Sequence, residues 1–148
     1  MLSNNLLETS FKEWTLALDE GFGIDVVFLD YQKAFDTVPH RRLISKLEAY
    51  GINKTLLRWL EKFLSSRKIR VQLDGFTTLW AEVLRGVPQG SVLGIILFLI
   101  YVNELPELIK SSIKLFADDS KVWHKITSEN DIQILQQDLT ELDQWSVT

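Results

Sequence analysis

The apolar positions of this chain alternate between helical and strand-like spacing. An amphipathic N-terminal helix is predicted by apolar residues at helical intervals, which are Leu7, Phe11, Trp14 and Leu18. The mostly apolar run 25–29 predicts a buried strand, with Asp30 where that strand leaves the core. A second helix is predicted to stop at Gly51. Its apolar positions are Leu43, Leu47 and Tyr50.

The middle of the chain predicts a capped helix, a hairpin and a long apolar helix. Asn53 is a typical N-cap residue for a third helix, whose apolar positions are Leu56, Leu57, Leu60, Phe63 and Leu64. Apolar and polar residues alternate over 69–73, and an Asp-Gly turn at 74–75 leads to a returning strand over 79–84. Ser91 is the expected N-cap of an apolar helix that we predict to be buried.

The last third of the chain predicts a second hairpin and a final helix. Two apolar, strand-like stretches flank Asp118 and Asp119, which places these residues at the tip of a hairpin. Ser128 and Asp131 resemble a capping pair for a helix whose apolar positions are Ile132, Leu135, Leu139, Leu142 and Trp145. Helices mixed with short, hairpin-joined strands favour an α+β fold over a parallel sheet.

Three carboxylates are candidates for chemistry. Asp118 and Asp119 are adjacent, and neighbouring carboxylates repel each other unless a cation or solvent compensates them. Mg²⁺ bound by carboxylates and substrate phosphates is the commonest enzymatic solution. Asp30 follows a rigid strand, which is a suitable position for a metal ligand. The alternative for all three is ordinary turn and strand-end chemistry, for which Asp is favoured.

The segment 86–94 is a loop constrained by glycine and proline. Its sequence is Gly-Val-Pro-Gln-Gly-Ser-Val-Leu-Gly. Such a loop brings its backbone and the side chain of Gln89 close to a ligand. The alternative is a plain entry from a loop into the helix that Ser91 caps.

Three segments together resemble a known family. They are 28–40 (Phe-Leu-Asp-Tyr-Gln-Lys-Ala-Phe-Asp-Thr-Val-Pro-His), the loop 86–94, and 115–119 (Leu-Phe-Ala-Asp-Asp). In this order and spacing, the chain resembles the reverse transcriptase of non-LTR retrotransposons of the long-interspersed-element type. Weaker likeness in the intervals extends the resemblance over nearly the whole chain. One departure is Ile95, which stands where the family usually has Pro and leaves that turn less constrained.

The resemblance implies a polymerase palm, an antiparallel sheet packed with helices. It implies that two Mg²⁺ ions, with Mn²⁺ as an alternative, are held by catalytic carboxylates. These catalytic and metal-binding residues are Asp30, Asp118 and Asp119. Phe35 falls where the family has an aromatic gate that favours deoxynucleotides, although simple core packing is the alternative. Gln89 and Gly90 match a loop that touches the template and the nascent base pair.

The charge is unevenly distributed along the chain. The net charge is −4, yet residues 41–70 contain nine basic and two acidic side chains. Such segregation is typical of a phosphate-facing surface, although a solvated helical face is the alternative. The nucleic-acid-binding candidates are Arg41, Arg42, Arg67, Lys68 and Arg70. Nearly all of the five tryptophans occupy positions expected to face the core, so we assign none to nucleic acid.

The resemblance also sets expectations for the organisation and the partners of the chain. We expect residues 1–148 to be one partial reverse transcriptase domain, a palm without fingers and thumb, that is inactive or weak alone. In the full-length context its partners are an RNA template, a DNA primer and deoxynucleoside triphosphates. The alternatives are a non-catalytic nucleic-acid-binding remnant and a protein-interaction remnant that self-associates through exposed palm surface.

Composition adds three further expectations. The chain contains no cysteine, which excludes disulfides and thiolate metal sites. Its start has neither the basic nor the apolar region of a signal peptide, so we expect an intracellular protein of the nucleus or cytoplasm. The longest apolar stretch, 92–102, is too short to span a bilayer, so we expect no membrane association.

Overall fold

The computed structural model describes residues 2–116 and 119–147, with the side chains described from Ser10 onwards. These residues form two compact units. The first unit contains the chain up to Tyr31 and again from Glu104, and the second contains Gln32–Asn103. Helices are mixed with antiparallel strands throughout, which confirms the α+β fold.

The elements predicted from the apolar pattern are present in the predicted order, together with two short helices, over 34–37 and 105–108, that the pattern did not predict. The first are α1 (Leu2–Asp19), β1 (Gly23–Asp30), α2 (Ala34–Thr37), α3 (His40–Ala49) and α4 (Lys54–Ser65). The next are β2 (Lys68–Ile69), β3 (Gln72–Leu73), β4 (Phe76–Thr77), β5 (Ala81–Glu82) and α5 (Val92–Val102). The last are α6 (Leu105–Leu108), β6 (Ser112–Phe116), β7 (Asp119–Ile126) and α7 (Glu129–Val147).

The first unit is built on a three-stranded antiparallel sheet with the order β1-β7-β6. The pairing of β6 with β7 brings Phe116 opposite Asp119 and confirms the predicted hairpin. Strand β1 is present as predicted, but the expectation that it is buried was wrong. Because β1 lies at the edge of the sheet, it is paired on one side only and Phe28 is 72% exposed.

Helices cover both faces of this sheet. On one face, the buried ring of Trp123 lies 6.0 Å from the ring of Trp14 in α1. On the other face, α7 packs through Leu135, Leu142 and Trp145, which are all buried. The predicted apolar stripe of α1 was partly wrong, because Phe11 and Leu18 are exposed and Trp14 is only half-buried. Leu7 lies outside the residues whose side chains are described.

Helix α7 is attached to the sheet hairpin by two carboxylates. Asp131 accepts hydrogen bonds from the backbone and hydroxyl groups of Thr127 and Ser128, which confirms the predicted cap. These bonds lower the pKa of Asp131 to about 2, with the Thr127 hydroxyl contributing most. Asp138 is 3% exposed and accepts hydrogen bonds from the amides of Lys110 and Ser111, at 3.1 and 2.7 Å.

The second unit has a helical core formed by α3, α4 and α5. The predicted caps are confirmed, since Asn53 accepts from the amide of Leu56 and Ser91 accepts from the amide of Gly94. Helix α5 is buried on one side only, which corrects the expectation of a fully buried helix. Its buried residues are Gly94, Leu97, Phe98, Tyr101 and Val102, whereas Val92, Ile95, Ile96 and Leu99 are exposed.

The predicted hairpin over 69–84 is present, but its strands are short. Asp74 and Gly75 form the predicted turn with φ values of 50° and 85°, and β3 pairs with β4 while β2 pairs with β5. The two registers differ by one residue, so Leu79 and Trp80 together stand opposite Arg70 in a β-bulge. Trp80 is 59% exposed and Trp59 is 53% exposed, which corrects the expectation that these tryptophans face the core.

Candidate functional site

Two of the three predicted catalytic carboxylates lie side by side in the first unit. Asp30 is the last residue of β1, Asp119 is the first residue of β7, and the two are directly opposite in the β1–β7 ladder. Opposite residues of an antiparallel pair project from the same face with Cβ atoms about 4.5–5.5 Å apart. Both side chains are exposed. The third predicted residue, Asp118, lies outside the described residues.

The residues behind this carboxylate pair hold the strand ends in place. Tyr31 and Ser120 follow the two aspartates in the chain, and Ser120 is buried. The Tyr31 ring packs edge-on against the ring of Trp145, with centroids 6.1 Å apart. The Trp145 indole in turn donates a 2.6 Å hydrogen bond to Glu104. Burial raises the pKa of the Tyr31 hydroxyl, and the Ser120 hydroxyl offsets part of that rise.

A cavity of about 480 Å³ opens beside the carboxylates within the first unit. Its lining includes both aspartates, the exposed residues Phe28 and Phe116, and the side chains of Lys114 and Lys121. The Lys121 ammonium lies 5.1 Å from the centroid of the Phe28 ring. The site therefore combines negative oxygens, apolar surface and two cations.

The donor chemistry of the pair suits a hard divalent cation. Carboxylate oxygens are the ligands that Mg²⁺ and Mn²⁺ prefer, and like charges placed opposite each other across strands destabilise a sheet unless they are compensated. Within 2–116 and 119–147, no group of three or more His, Cys, Asp or Glu side chains is arranged to hold a metal. The described part of the site therefore contains two candidate ligands, Asp30 and Asp119.

The remaining predicted site residues lie in the second unit. Phe35 belongs to the short helix α2 and is half-buried. Its ring stacks on the buried ring of Phe98 in α5, with centroids 4.2 Å apart and an interplanar angle of 27°. The aromatic plane is thus held in one orientation by the core of this unit. The packing alternative for Phe35 is observed, and its role as a sugar gate stays a prediction.

The loop before α5 is joined to the segment around Phe35 by backbone hydrogen bonds. The amide of Gly86 donates to Val38 and the amide of Val87 donates to Phe35, at 2.8 and 2.7 Å. The carbonyl of Gly86 accepts from the His40 imidazole at 2.8 Å and from the Arg67 guanidinium. Sequence analysis missed the role of His40, because a lone histidine in a helical pattern gives no sign of so distant a partner.

The tip of this loop is exposed but its base is fixed. The Ser91 hydroxyl donates to the carbonyl of Pro88 at 3.0 Å and accepts from the amide of Gly94 at 2.9 Å. A methyl group on Gly94 would lie 2.1 Å from the same Pro88 oxygen, so only glycine fits there. Gln89 and Gly90 are both exposed at the tip. A rigid loop that presents Gln89 to solvent is suited to contacting a ligand.

The predicted basic side chains divide into half-buried and exposed ones. Arg67 donates to the carbonyls of Leu64 and Gly86, and burial lowers its pKa while Asp36 partly opposes that effect. Arg42 lies over the Tyr101 ring, 5.6 Å from its centroid. The exposed members of the set are Arg41, Lys68 and Arg70. The structure thus gives Arg42 and Arg67 contacts within the second unit, and the nucleic-acid role of all five stays a prediction.

None of the helices within 2–116 and 119–147 combines the length and the apolar character that crossing a bilayer requires.

Comparison with known proteins gives a consistent family. A family model described as reverse transcriptase (RNA-dependent DNA polymerase) matches residues 23–148. A probable RNA-directed DNA polymerase from transposon BS of Drosophila melanogaster is 31% identical over 87% of this chain and 15% of its own length. The RNA-directed DNA polymerase from mobile element jockey of Drosophila funebris is 33% identical over 81% of this chain and 14% of its own.

A protein of another retrotransposable element is also similar. The Pol polyprotein from the type-1 retrotransposable element R2 of Popillia japonica is 33% identical over 58% of this chain and 14% of its own length. The chain therefore spans about one-seventh of the length of these curated relatives.

Proposed function

Because this chain belongs to the reverse transcriptase (RNA-dependent DNA polymerase) family of non-LTR retrotransposons, we propose that it contributes catalytic carboxylates to RNA-directed DNA synthesis. The substrates in the full-length context are an RNA template, a DNA primer and deoxynucleoside triphosphates. The reaction transfers a nucleotidyl group to the 3′-oxygen of the primer and releases pyrophosphate. The chain alone is inactive or weak, since phosphoryl transfer depends on positioning and the chain matches only about one-seventh of the length of these relatives.

The observation that carries this proposal is the placement of Asp30 directly opposite Asp119. Two carboxylates on one sheet face, 89 positions apart in the chain, give a rigid acidic site beside an open cavity. Tyr31 and Trp145 support it from behind. Like charges placed opposite each other do not stabilise a sheet, so a cation-binding role explains the pair better than a structural one.

The reverse transcriptase family generally uses divalent metal ions, and the residues present fit such an ion. In the proposal Asp30 and Asp119 hold Mg²⁺ together with Asp118. Mn²⁺ is the alternative ion, since the same hard oxygen donors suit both. When bound, the ions supply stabilisation of the attacking oxygen and of the pyrophosphate leaving group. The strands of the chain hold the two carboxylates on the same face of the sheet.

Two elements of the second unit complete the proposal. The ring of Phe35, fixed by its stacking on Phe98, excludes a sugar that carries a 2′-hydroxyl. The loop tip at Gln89 and Gly90 contacts the template and the nascent base pair, supported by its fixed base at Ser91. Rigid support is the feature that such specificity roles require.

The test is a Mn²⁺ titration of isotopically labelled chain followed by amide NMR. We expect paramagnetic broadening around Asp30 and Asp119, lost in the Asp30→Asn and Asp119→Asn variants. Asp25→Asn is the matched control, because Asp25 is also an exposed carboxylate of β1 and lies five residues away. Broadening that persists in both site variants, or that is lost equally in the control, would overturn the assignment.

A further inference from the structure

The hairpin formed by β2 to β5 is amphipathic. Leu73 and Phe76 are directly opposite across the turn and share one face. Strand alternation adds Val71 and Ile69 to that face. The apolar hairpin face, defined by these four side chains, is 60% to 82% exposed at each position.

The opposite face of the hairpin carries its charged side chains, together with Leu79 and Trp80 of the bulge. Lys68 pairs with Glu82 at 4.0 Å, and the Arg70 guanidinium lies 4.6 Å from the centre of the Trp80 ring. At the bulge, Leu79 is 92% exposed. The pattern is that of an antiparallel sheet with one face packed and one face solvated, yet the face suited for packing is open to solvent.

We propose that the apolar hairpin face packs against the same face of a second copy of this chain. The face contains no charged residue, so two copies meet without like-charge repulsion, and an isologous two-fold contact is self-complementary by construction. The basic residues Lys68 and Arg70 lie on the other face, which disfavours a phosphate backbone as the occupant.

The area available sets the expected strength. The apolar hairpin face offers four side chains of roughly 100 Å² each, or about 400 Å² from each copy. A standard stable interface buries about 800 Å² per partner. The contact therefore belongs to the weak class, with an expected Kd on the order of 10–100 µM. This inference needs neither metal nor nucleic acid, so it stands or fails separately from the proposed function.

The experiment is analytical ultracentrifugation of the whole chain over concentrations that bracket this Kd. We expect the mass to rise from 17.1 kDa towards twice that value. The Phe76→Glu variant brings two carboxylates together across the two-fold axis, so its Kd should be weakened at least tenfold. Thr77→Glu is the matched control, because it adds the same charge one residue away on the opposite face, and its Kd should be unchanged.

Four outcomes separate this contact from others. Mixing Phe76→Glu with Phe76→Lys should restore association through opposite charges, which supports the isologous face. A chain that stays monomeric across the range would overturn the proposal. Equal loss in Phe76→Glu and Thr77→Glu would indicate pairing through the hairpin edge, and loss in Val92→Glu alone would indicate the exposed side of α5. Either result overturns the proposal, provided circular dichroism shows that each variant is folded.

Discussion

Replacing Gly86 by alanine should destabilise the loop that presents Gln89. Gly86 is buried and has a φ of +86°, a conformation that L side chains rarely adopt. A Cβ atom at this position would lie 2.6 Å from the carbonyl oxygen of Asp36 and 2.7 Å from its Cα. These neighbours are backbone atoms, which cannot rotate away as a side chain does. The loop must therefore move, and the His40 and Arg67 contacts to the Gly86 carbonyl move with it.

The magnitude follows from two separate effects. The left-handed conformation costs a non-glycine residue about 1 kcal/mol, and forcing an extra methyl group into packed surroundings costs about 1–3 kcal/mol. Gly86→Ala should therefore lower the free energy of unfolding by about 2–4 kcal/mol. Gly90→Ala is the control, because Gly90 has a φ of +79° with nothing within 4 Å of the added Cβ. It should lose only about 1 kcal/mol.

Equilibrium unfolding in urea, followed by tryptophan fluorescence, measures both changes. Two-state behaviour with equal m-values is required for the comparison. The reasoning is refuted if both variants lose the same stability, since the close approach of Gly86 to Asp36 would then have no energetic weight.

Three further predictions concern acidic residues. Asp119→Asn relieves the repulsion with Asp30, so the free energy of unfolding of the metal-free chain should rise by about 0.2–1 kcal/mol. The same variant should lose any Mg²⁺-dependent rise in Tm. A variant that is less stable than the parent would argue against repulsion. The pKa of Asp131 is lowered from 3.8 to about 2, so its hydrogen bonds stabilise the fold above its ordinary pKa and are lost as the pH falls towards 2. The melting temperature of Asp131→Asn should therefore fall less at acidic pH than that of the parent chain. Equal dependence of the two melting temperatures on pH would contradict this. Asp138→Ala leaves the buried amide of Ser111 and the part-buried amide of Lys110 without an acceptor, and it should lose about 2–4 kcal/mol in urea unfolding. Asp138→Asn should lose less, and equal losses would contradict the hydrogen-bond argument.

Local chemistry was the part of the fold that the sequence predicted well. The caps at Asn53 and Ser91, the Asp131 cap and the turn at 74–75 are all present. Each depends on side chains and backbone a few residues apart, so a short stretch of sequence contains the whole interaction.

The wrong predictions concern side-chain burial, which depends on packing between elements that are distant in the chain. Phe11 and Trp80 are apolar residues at plausible core positions, yet both are exposed, because burial depends on which elements pack together. Asp138 shows the reverse case, because this acidic residue of α7 is buried. Its carboxylate accepts hydrogen bonds from backbone amides about 27 residues away. Periodicity alone does not contain this information.

The candidate site was predicted from the family resemblance and not from the spacing of apolar residues. Nothing in the strand-like runs around Asp30 and Asp119 indicates that they pair with each other. The family resemblance associated them, and the β1–β7 ladder brings them opposite each other. His40 was missed because its partner, the Gly86 carbonyl, is 46 residues distant.

The eight-residue ladder between β1 and β7 also fixes the distance between Asp30 and Asp119. The gap between the two carboxylates is set by the spacing between neighbouring strands, about 4.8 Å, and not by the shape of any loop. Register can change only in whole residues, and a slip by one would send one carboxylate to the opposite face of the sheet. Substitutions elsewhere can weaken the sheet, but they cannot tune this distance gradually. The acidic site therefore forms only when β1 and β7 pair in this register.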